Sequence, residues 1–233
     1  MVHFEQEITA LKNVLLTMAS HAESAVNDSV EALVNRDYDL ALRVRADDEV
    51  IDRYEVEVDE TAIGLLAKAP LATDLRFIAV TMKISQNLER VGDEATKIAN
   101  RARDLSQEPP LKLALDIPHL AELALQMLKG ALDAFVNLDS AAARILIPKD
   151  KEVDALNKHI HRQLADEMIA NPEAITRCLA LMVVAKSLER IADHAKNVAE
   201  EVVFLCEAED IRHSGKTKAA HLSSDARHAG DGH

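Results

Sequence analysis

The stretch LERVGDEATKIANRA, residues 88–102, is repeated 100 positions later as LERIADHAKNVAEEV, residues 188–202. Six of the fifteen aligned pairs are identical, and others are conservative exchanges, such as Val91 for Ile191 and Ile98 for Val198. The repeat preserves two acids at the same spacing in each copy: Glu89 and Asp93, then Glu189 and Asp193. A repeat that served folding alone would need to keep only its apolar face. The chain is therefore predicted to be a duplicated helical unit in which each half carries an acidic site.

Composition narrows the class of protein. With 48% apolar residues, six glycines, six prolines and no tryptophan among 233 residues, the chain is typical of a helical protein with a substantial core. A net charge of −13 argues against nucleic-acid binding and suits cations or a basic partner. We expect neither a signal peptide nor membrane insertion, because no basic segment precedes an apolar one at the start and no apolar run reaches about 18 residues.

Apolar periodicity and proline positions predict six helices. They cover about residues 4–35, 39–68, 71–105, 117–137, 139–170 and 171–208. Pro70 breaks the chain between the second and third helices, and Pro109–Pro110 forms the clearest linker. Short connections make neighbouring helices antiparallel. The predicted fold is all-α, with two tandem three-helix bundles related by duplication.

The predicted domains follow from this division. Residues 1–108 form the first three-helix bundle, and residues 109–208 form the second. Residues 209–233 are predicted to be a mostly disordered tail, because they are rich in small and polar residues and lack periodicity.

The duplication also includes acids on the middle helix of each half. Asp48 and Asp52 correspond to Asp150 and Asp154 at an offset of 102, and the apolar residues around them align at the same offset. Spacing of four residues places both carboxylates on one helix face. If this helix packs antiparallel to the next, four carboxylates converge in each half. A fifth pair with the same spacing, Glu55 and Asp59, lies outside these matched sets.

Converging carboxylates need a cation or water. Burying unpaired charges costs several kcal/mol or more, and the charges also repel one another. All-oxygen ligation suits Mg²⁺, Mn²⁺ or Ca²⁺, and carboxylate clusters also hold iron.

The spacing alone leaves ordinary ion pairs open as an alternative. Nearby side chains that could neutralise the acids are Arg90, Lys97, Lys186, Arg190 and Lys196. The chain contains none of the common nucleophile, phosphate-loop or zinc-protease motifs, and no glutamate has a histidine three residues later. We therefore expect no catalytic residues. His194, beside Asp193, is a candidate outer ligand of a metal.

Longer motifs carry a family resemblance. PLATDLR at residues 70–76, LERVGD at 88–93, LERIAD at 188–193 and EDIRH at 209–213 together resemble the PhoU family of phosphate-transport accessory regulators. The resemblance covers about residues 5–213 and the order of all six helices. It implies metal clusters, with Fe, Zn, Mn or Mg as candidate ions. The implied ligands are Asp48, Asp52, Glu89 and Asp93 in the first half, and Asp150, Asp154, Glu189 and Asp193 in the second.

The resemblance also implies a function. Such proteins are cytoplasmic, dimeric and non-enzymatic, and they contact the inner membrane only through partners. They link the ATPase subunit of a phosphate ABC transporter with a sensor histidine kinase, as negative regulators of the phosphate-starvation response. We adopt this adaptor role as the prediction. One alternative is a carboxylate-ligated metal protein with an enzymatic or storage role, and another is a structural helical oligomer whose acids form ion pairs.

Overall fold

The computed structural model describes residues 2–69 and 71–211, with side chains from residue 4 onward. These residues form seven α-helices and two short 3-10 turns, and no strand occurs among them. The helices are α1 (Val2–Asn35), α2 (Tyr38–Leu66), α3 (Ala72–Ser106), α4 (Ile117–Asn137), α5 (Ser140–Leu146), α6 (Asp150–Ala170) and α7 (Ile175–Glu207). Pro70 and residues 212–233, which include the predicted helix break and most of the predicted tail, lie outside the described residues.

The turn that follows the first helix has the same structure in both halves. Arg36 after α1 and Leu138 after α4 adopt left-handed backbone angles, with φ of 56° and 52°. The next residue in each case, Asp37 or Asp139, caps the following helix, because its carboxylate accepts a backbone hydrogen bond of 2.9 Å from three residues further on. The internal duplication therefore extends to individual hydrogen bonds in the connections.

The predicted single helix over residues 139–170 is interrupted. α5 ends at Leu146, a 3-10 turn spans Ile147–Lys149, and α6 begins at Asp150. Pro148 lies in this turn and has no backbone N–H to donate to the carbonyl four residues earlier. The apolar stripe continues across the break, so periodicity alone does not reveal it.

The apolar stripes predicted for the helices do line the core. On α2, the buried residues include all five of the predicted stripe: Val44, Ile51, Val58, Ala62 and Leu65. On α1, Leu11, Leu15, Met18 and Ala22 are fully buried. Each half thus buries the apolar faces of its antiparallel helices, and the duplicated all-α fold is confirmed.

The two halves pack on each other through their last long helices. α1, α2 and α3 contact one another, α4 to α7 form the second group, and α3 also runs along α7. One hydrophobic cluster extends through both groups. The predicted boundary at residue 108 lies in the connection between α3 and α4, and the independence of the two halves as domains stays a prediction.

Buried acids join α3 to α7. Lys83 Nζ donates to Glu201 at 3.1 Å, while Lys97 Nζ and Arg190 Nη1 donate to Glu94 Oε1 at 2.9 and 3.2 Å. Both glutamate side chains are only about 5% exposed. An early residue of α3 therefore meets a late residue of α7, so the two helices run antiparallel.

Candidate metal centres

The first cluster lies between α2 and α3. Burial raises the pKa of Asp48, and the charges of Asp52 and Asp93 raise it further, whereas a hydrogen bond from the Thr96 hydroxyl lowers it. Burial also raises the pKa of Glu89, together with repulsion from Asp93 and Asp52. Asp48 and Asp52 of α2 and Glu89 and Asp93 of α3 therefore lie close enough for their charges to act on one another.

Two further acids extend the first cluster. Burial, followed by the charges of Asp59 and Asp52, raises the pKa of Glu55, and Glu55 in turn raises that of Glu89. One oxygen of Asp59 is buried without a hydrogen-bond partner among the described residues. The spacing in the sequence reveals this pair, but it was not assigned to the cluster because it has no acidic counterpart in the second half. Tracing the helix face onward from Asp52, at steps of three and seven residues, would have found them.

The second cluster lies between α6 and α7, and it contains lysines. Lys196 Nζ donates to Asp150 Oδ2 at 2.7 Å, and Lys186 forms an ion pair with Glu189. Burial raises the pKa of Asp193, and Asp150 and Glu189 raise it further, whereas the two lysines lower it. The charges of Asp150 and Glu189 thus act on Asp193, and each of the three acids lies close to an ammonium group.

Asp154 is less closely joined to this cluster. It is half-exposed on α6, one turn after Asp150, and its side chain makes no hydrogen bond or ion pair within the part of the chain that the structure describes. Because of the break before α6, Asp150 is the first residue of that helix. The Asp150 side chain is only 10% exposed. Asp150 Oδ1 is buried with no partner among the described residues.

The alternative of ordinary ion pairs applies differently to the two halves. Lys97 of α3 and Arg190 of α7 bind Glu94 rather than any of the four acids predicted for the first half. Arg90 lowers the pKa of Glu89, but only as the last of five contributions. In the second half, lysines contact the predicted acids directly. Self-neutralisation by ion pairs is thus a feature of the second cluster.

An open cleft of about 550 Å³ between α3 and α7 separates the clusters. Asp93 and Asp193 both line it, one from each half. His194 also lines it, and its Nδ1 donates to Asn87 Oδ1 at 3.1 Å. Burial, followed by the charge of Arg90, lowers the pKa of His194. The histidine predicted as an outer ligand is thus bonded across the seam between the two halves.

The donors of the first cluster suit a hard, multivalent cation. Their side chains offer carboxylate oxygens, which are the preferred ligands of Mg²⁺, Mn²⁺ and Ca²⁺ and also bind iron. Among the described residues, no three His, Cys, Asp or Glu side chains are yet grouped closely enough to hold an ion. Because carboxylates repel one another, drawing them to ligand distance requires the cation itself. Metal binding at these residues stays a prediction.

Comparison with known families agrees with the duplication. The PhoU domain matches this chain twice, over residues 15–102 and 117–202. The chain belongs to the PhoU family. Both matches contain an LER motif together with the acids of one cluster, so each PhoU domain of the chain carries one candidate centre.

Relatives and solved structures cover nearly the whole chain. The Pseudomonas aeruginosa protein named phosphate-specific transport system accessory protein PhoU homolog is 39% identical, over 92% of this chain and 90% of its own length. The Escherichia coli accessory protein PhoU is 33% identical, over 91% and 88%. The crystal structure of PhoU from Pseudomonas aeruginosa superposes with a TM-score of 0.85 at 38% identity, covering 88% of this chain and all of that one. The phosphate transport system regulatory protein PhoU from Streptococcus pneumoniae gives a TM-score of 0.83 at 26% identity, covering 89% and 99%.

The length and composition of the helices bear on membrane insertion. Within residues 2–69 and 71–211, none of the helices combines the length and the apolar character that crossing a bilayer requires.

Proposed function

We propose that this PhoU protein is a non-enzymatic accessory regulator of phosphate uptake that keeps the phosphate-starvation response off when phosphate is plentiful. The observation that carries the proposal is that the PhoU domain matches this chain twice and that its relatives are named as accessory proteins of phosphate-specific transport. These relatives match over about nine-tenths of both chains, so the likeness is not confined to one shared module.

The proposed partners are the ATPase subunit of a phosphate ABC transporter and a sensor histidine kinase. We expect the protein to act in the cytoplasm as a homodimer and to reach the inner membrane through these partners. The resemblance of its motifs to the PhoU family supports this part of the proposal. A long, negatively charged helical surface suits binding to basic faces of partner proteins.

Metal ions at the acidic clusters form part of the proposal. In the first half, Asp48 and Asp52 of α2, with Glu89 and Asp93 of α3, would hold a divalent or iron-type cation. The ion would neutralise their repulsion and draw the two helices together. Its role is then structural, setting the shape that the partners recognise.

The proposal is tested in the organism that encodes the protein. A strain lacking the chain should express a phosphate-starvation reporter even with abundant phosphate, and the wild-type chain should restore repression. A variant with D48N, D52N, E89Q and D93N should restore it poorly, while D47N, at an exposed position beside the cluster, should behave as wild type. Repression that persists in the deletion strain would overturn the proposed role. Full repression by the fourfold variant would overturn only the role of the metal.

A further inference from the structure

We infer that the two candidate metal centres are unequal: the first half takes a multivalent cation, whereas Lys186 and Lys196 supply the positive charge of the second. The inference rests on the proposed metal function and specifies which cluster serves it. It concerns residues that differ between the halves at repeat-equivalent positions.

The difference in charge comes from four exchanges. Gln86 and Thr96 of α3 correspond to Lys186 and Lys196 of α7 at the offset of 100. On the middle helices, at the offset of 102, the other exchanges place neutral side chains opposite acids: Asn157 opposite Glu55, and His161 opposite Asp59. The first cluster thus comprises six carboxylates with a summed formal charge of −6 and no lysine, and Arg90 beside them lowers the pKa of Glu55 and Glu89. The second comprises four carboxylates and two ammonium groups, a formal charge of −2 with histidine neutral.

Lys196 and Thr96 occupy equivalent positions, and each donates a hydrogen bond to the equivalent aspartate. Lys196 donates to Asp150 at 2.7 Å, and Thr96, at the equivalent place, donates its hydroxyl to Asp48. A hydroxyl satisfies an oxygen without neutralising its charge. An ammonium group does both, since a charge-assisted hydrogen bond is stronger than a neutral one. The second half therefore has a cation of its own at the point where the first half has only a hydroxyl.

A metal ion would have to compete for the second cluster. To bind Asp150 through both oxygens it must displace Lys196, and to bind Glu189 through both oxygens it must displace Lys186. In the first cluster an incoming ion displaces no ammonium group and relieves repulsion among the acids. We expect affinity for a divalent cation to be at least about tenfold higher in the first half, because Coulomb attraction grows with the net charge of the site.

This inequality assigns different roles to the halves. Lys196 joins α7 to Asp150 of α6 without a metal ion, whereas the acids of α2 and α3 are drawn to ligand distance only when a cation is present. A change in cation supply would thus alter the shape of the first half alone. The first half would thus change shape with the cation supply, whereas the second half would keep its shape.

Exchanging the lysines between the halves tests the inference. The probe is Mn²⁺, titrated into the purified full-length protein and followed by calorimetry and by the electron paramagnetic resonance of free Mn²⁺. We expect one tight site in the wild type and at least about tenfold weaker binding in Q86K/T96K. K186Q/K196T should gain a second site, because Asp150 Oδ1 already lacks a partner among the described residues and Oδ2 is released.

Two further variants locate the bound ion independently of the lysine exchanges. D48N/D52N should abolish the tight site of the wild type, and D150N/D154N should leave it intact. Helix content and melting temperature identify any variant that fails to fold. Two equal sites in the wild type, or loss of the tight site in D150N/D154N, would overturn the inequality but keep the metal proposal. No Mn²⁺ binding by the wild type would overturn both, while the reporter assay would still decide the regulatory role separately.

Discussion

Gly92 is the residue at which α3 comes closest to α2. A Cβ atom added there would lie 2.8 Å from Ile51 Cδ1 and 3.3 Å from Asp48 Oδ1. The distance to Ile51 Cδ1 is shorter than a normal contact between two carbon atoms, so the side chains of α2 must shift. The small residue therefore lets the two acid-bearing helices approach beside the first cluster. The repeat-equivalent residue of α7 is Ala192, so the second half does not need the same approach.

We expect G92A to weaken both folding and metal binding. Overpacking costs about 1–3 kcal/mol, and the gain in helix propensity recovers about 1 kcal/mol. The net loss should be about 1 kcal/mol in the free energy of unfolding by urea, with a lower affinity for Mn²⁺. The control is G64A on α2, where a Cβ would meet nothing within 4 Å, and it should stabilise by about 0.5 kcal/mol. Equal effects of the two substitutions would contradict the close approach.

At the scale of residues, sequence reasoning located the four acids of each set but not their surroundings. Glu55 and Asp59 were passed over because they have no acidic partner in the second half. Lys186 and Lys196 were noted only as nearby charges. In the structure they contact Glu189 and Asp150, whereas Lys97 contacts Glu94. These contacts depend on the directions in which the side chains point. Spacing along one helix cannot supply those directions.

At the scale of elements, most helix limits could be predicted and one internal break could not. The stripe of α2 and the prolines of the linkers indicated most helix ends to within a few residues. The sequence did not predict the break at Pro148, because apolar residues continue on both sides of it. The pairing of α3 with α7 was also not predicted. Glu94 and Glu201 lie buried on that seam, yet in sequence they resemble ordinary surface acids.

The duplicated caps offer a prediction about the elements. Asp37 and Asp139 start α2 and α5 with the same hydrogen bond. D37A and D139A should each lower the free energy of unfolding by about 1 kcal/mol, because each leaves a backbone N–H without its capping partner. D47A removes an exposed acid within α2 and should change stability by no more than about 0.5 kcal/mol. A cap substitution as harmless as D47A would show that the turn does not depend on its aspartate.

At the scale of the whole molecule, the seam between α3 and α7 joins the two PhoU domains. Glu94 is central to it, since its carboxylate accepts hydrogen bonds from Lys97 of its own helix and Arg190 of the other half. The hydrophobic cluster also continues across the seam. We therefore expect the chain to unfold in one cooperative transition.

Replacing Glu94 tests this cooperativity. E94A removes the acceptor of two charged hydrogen bonds and should cost about 1.5–3 kcal/mol, while E94Q keeps an acceptor oxygen and should cost less. The loss should appear in calorimetry as one transition at a lower temperature. Two separate transitions in the wild-type protein would show instead that the halves are independent domains, as the boundary predicted at residue 108 assumes.

The inequality of the two clusters is the central claim, and anomalous diffraction tests it most directly. Crystals grown without chelator and soaked in Mn²⁺ would be measured where manganese scatters anomalously. We predict a strong peak among the carboxylates of Asp48, Asp52, Glu89 and Asp93, and a weaker peak or none beside Lys196. Peaks of equal height in both halves, or a stronger peak in the second half, would contradict the claim.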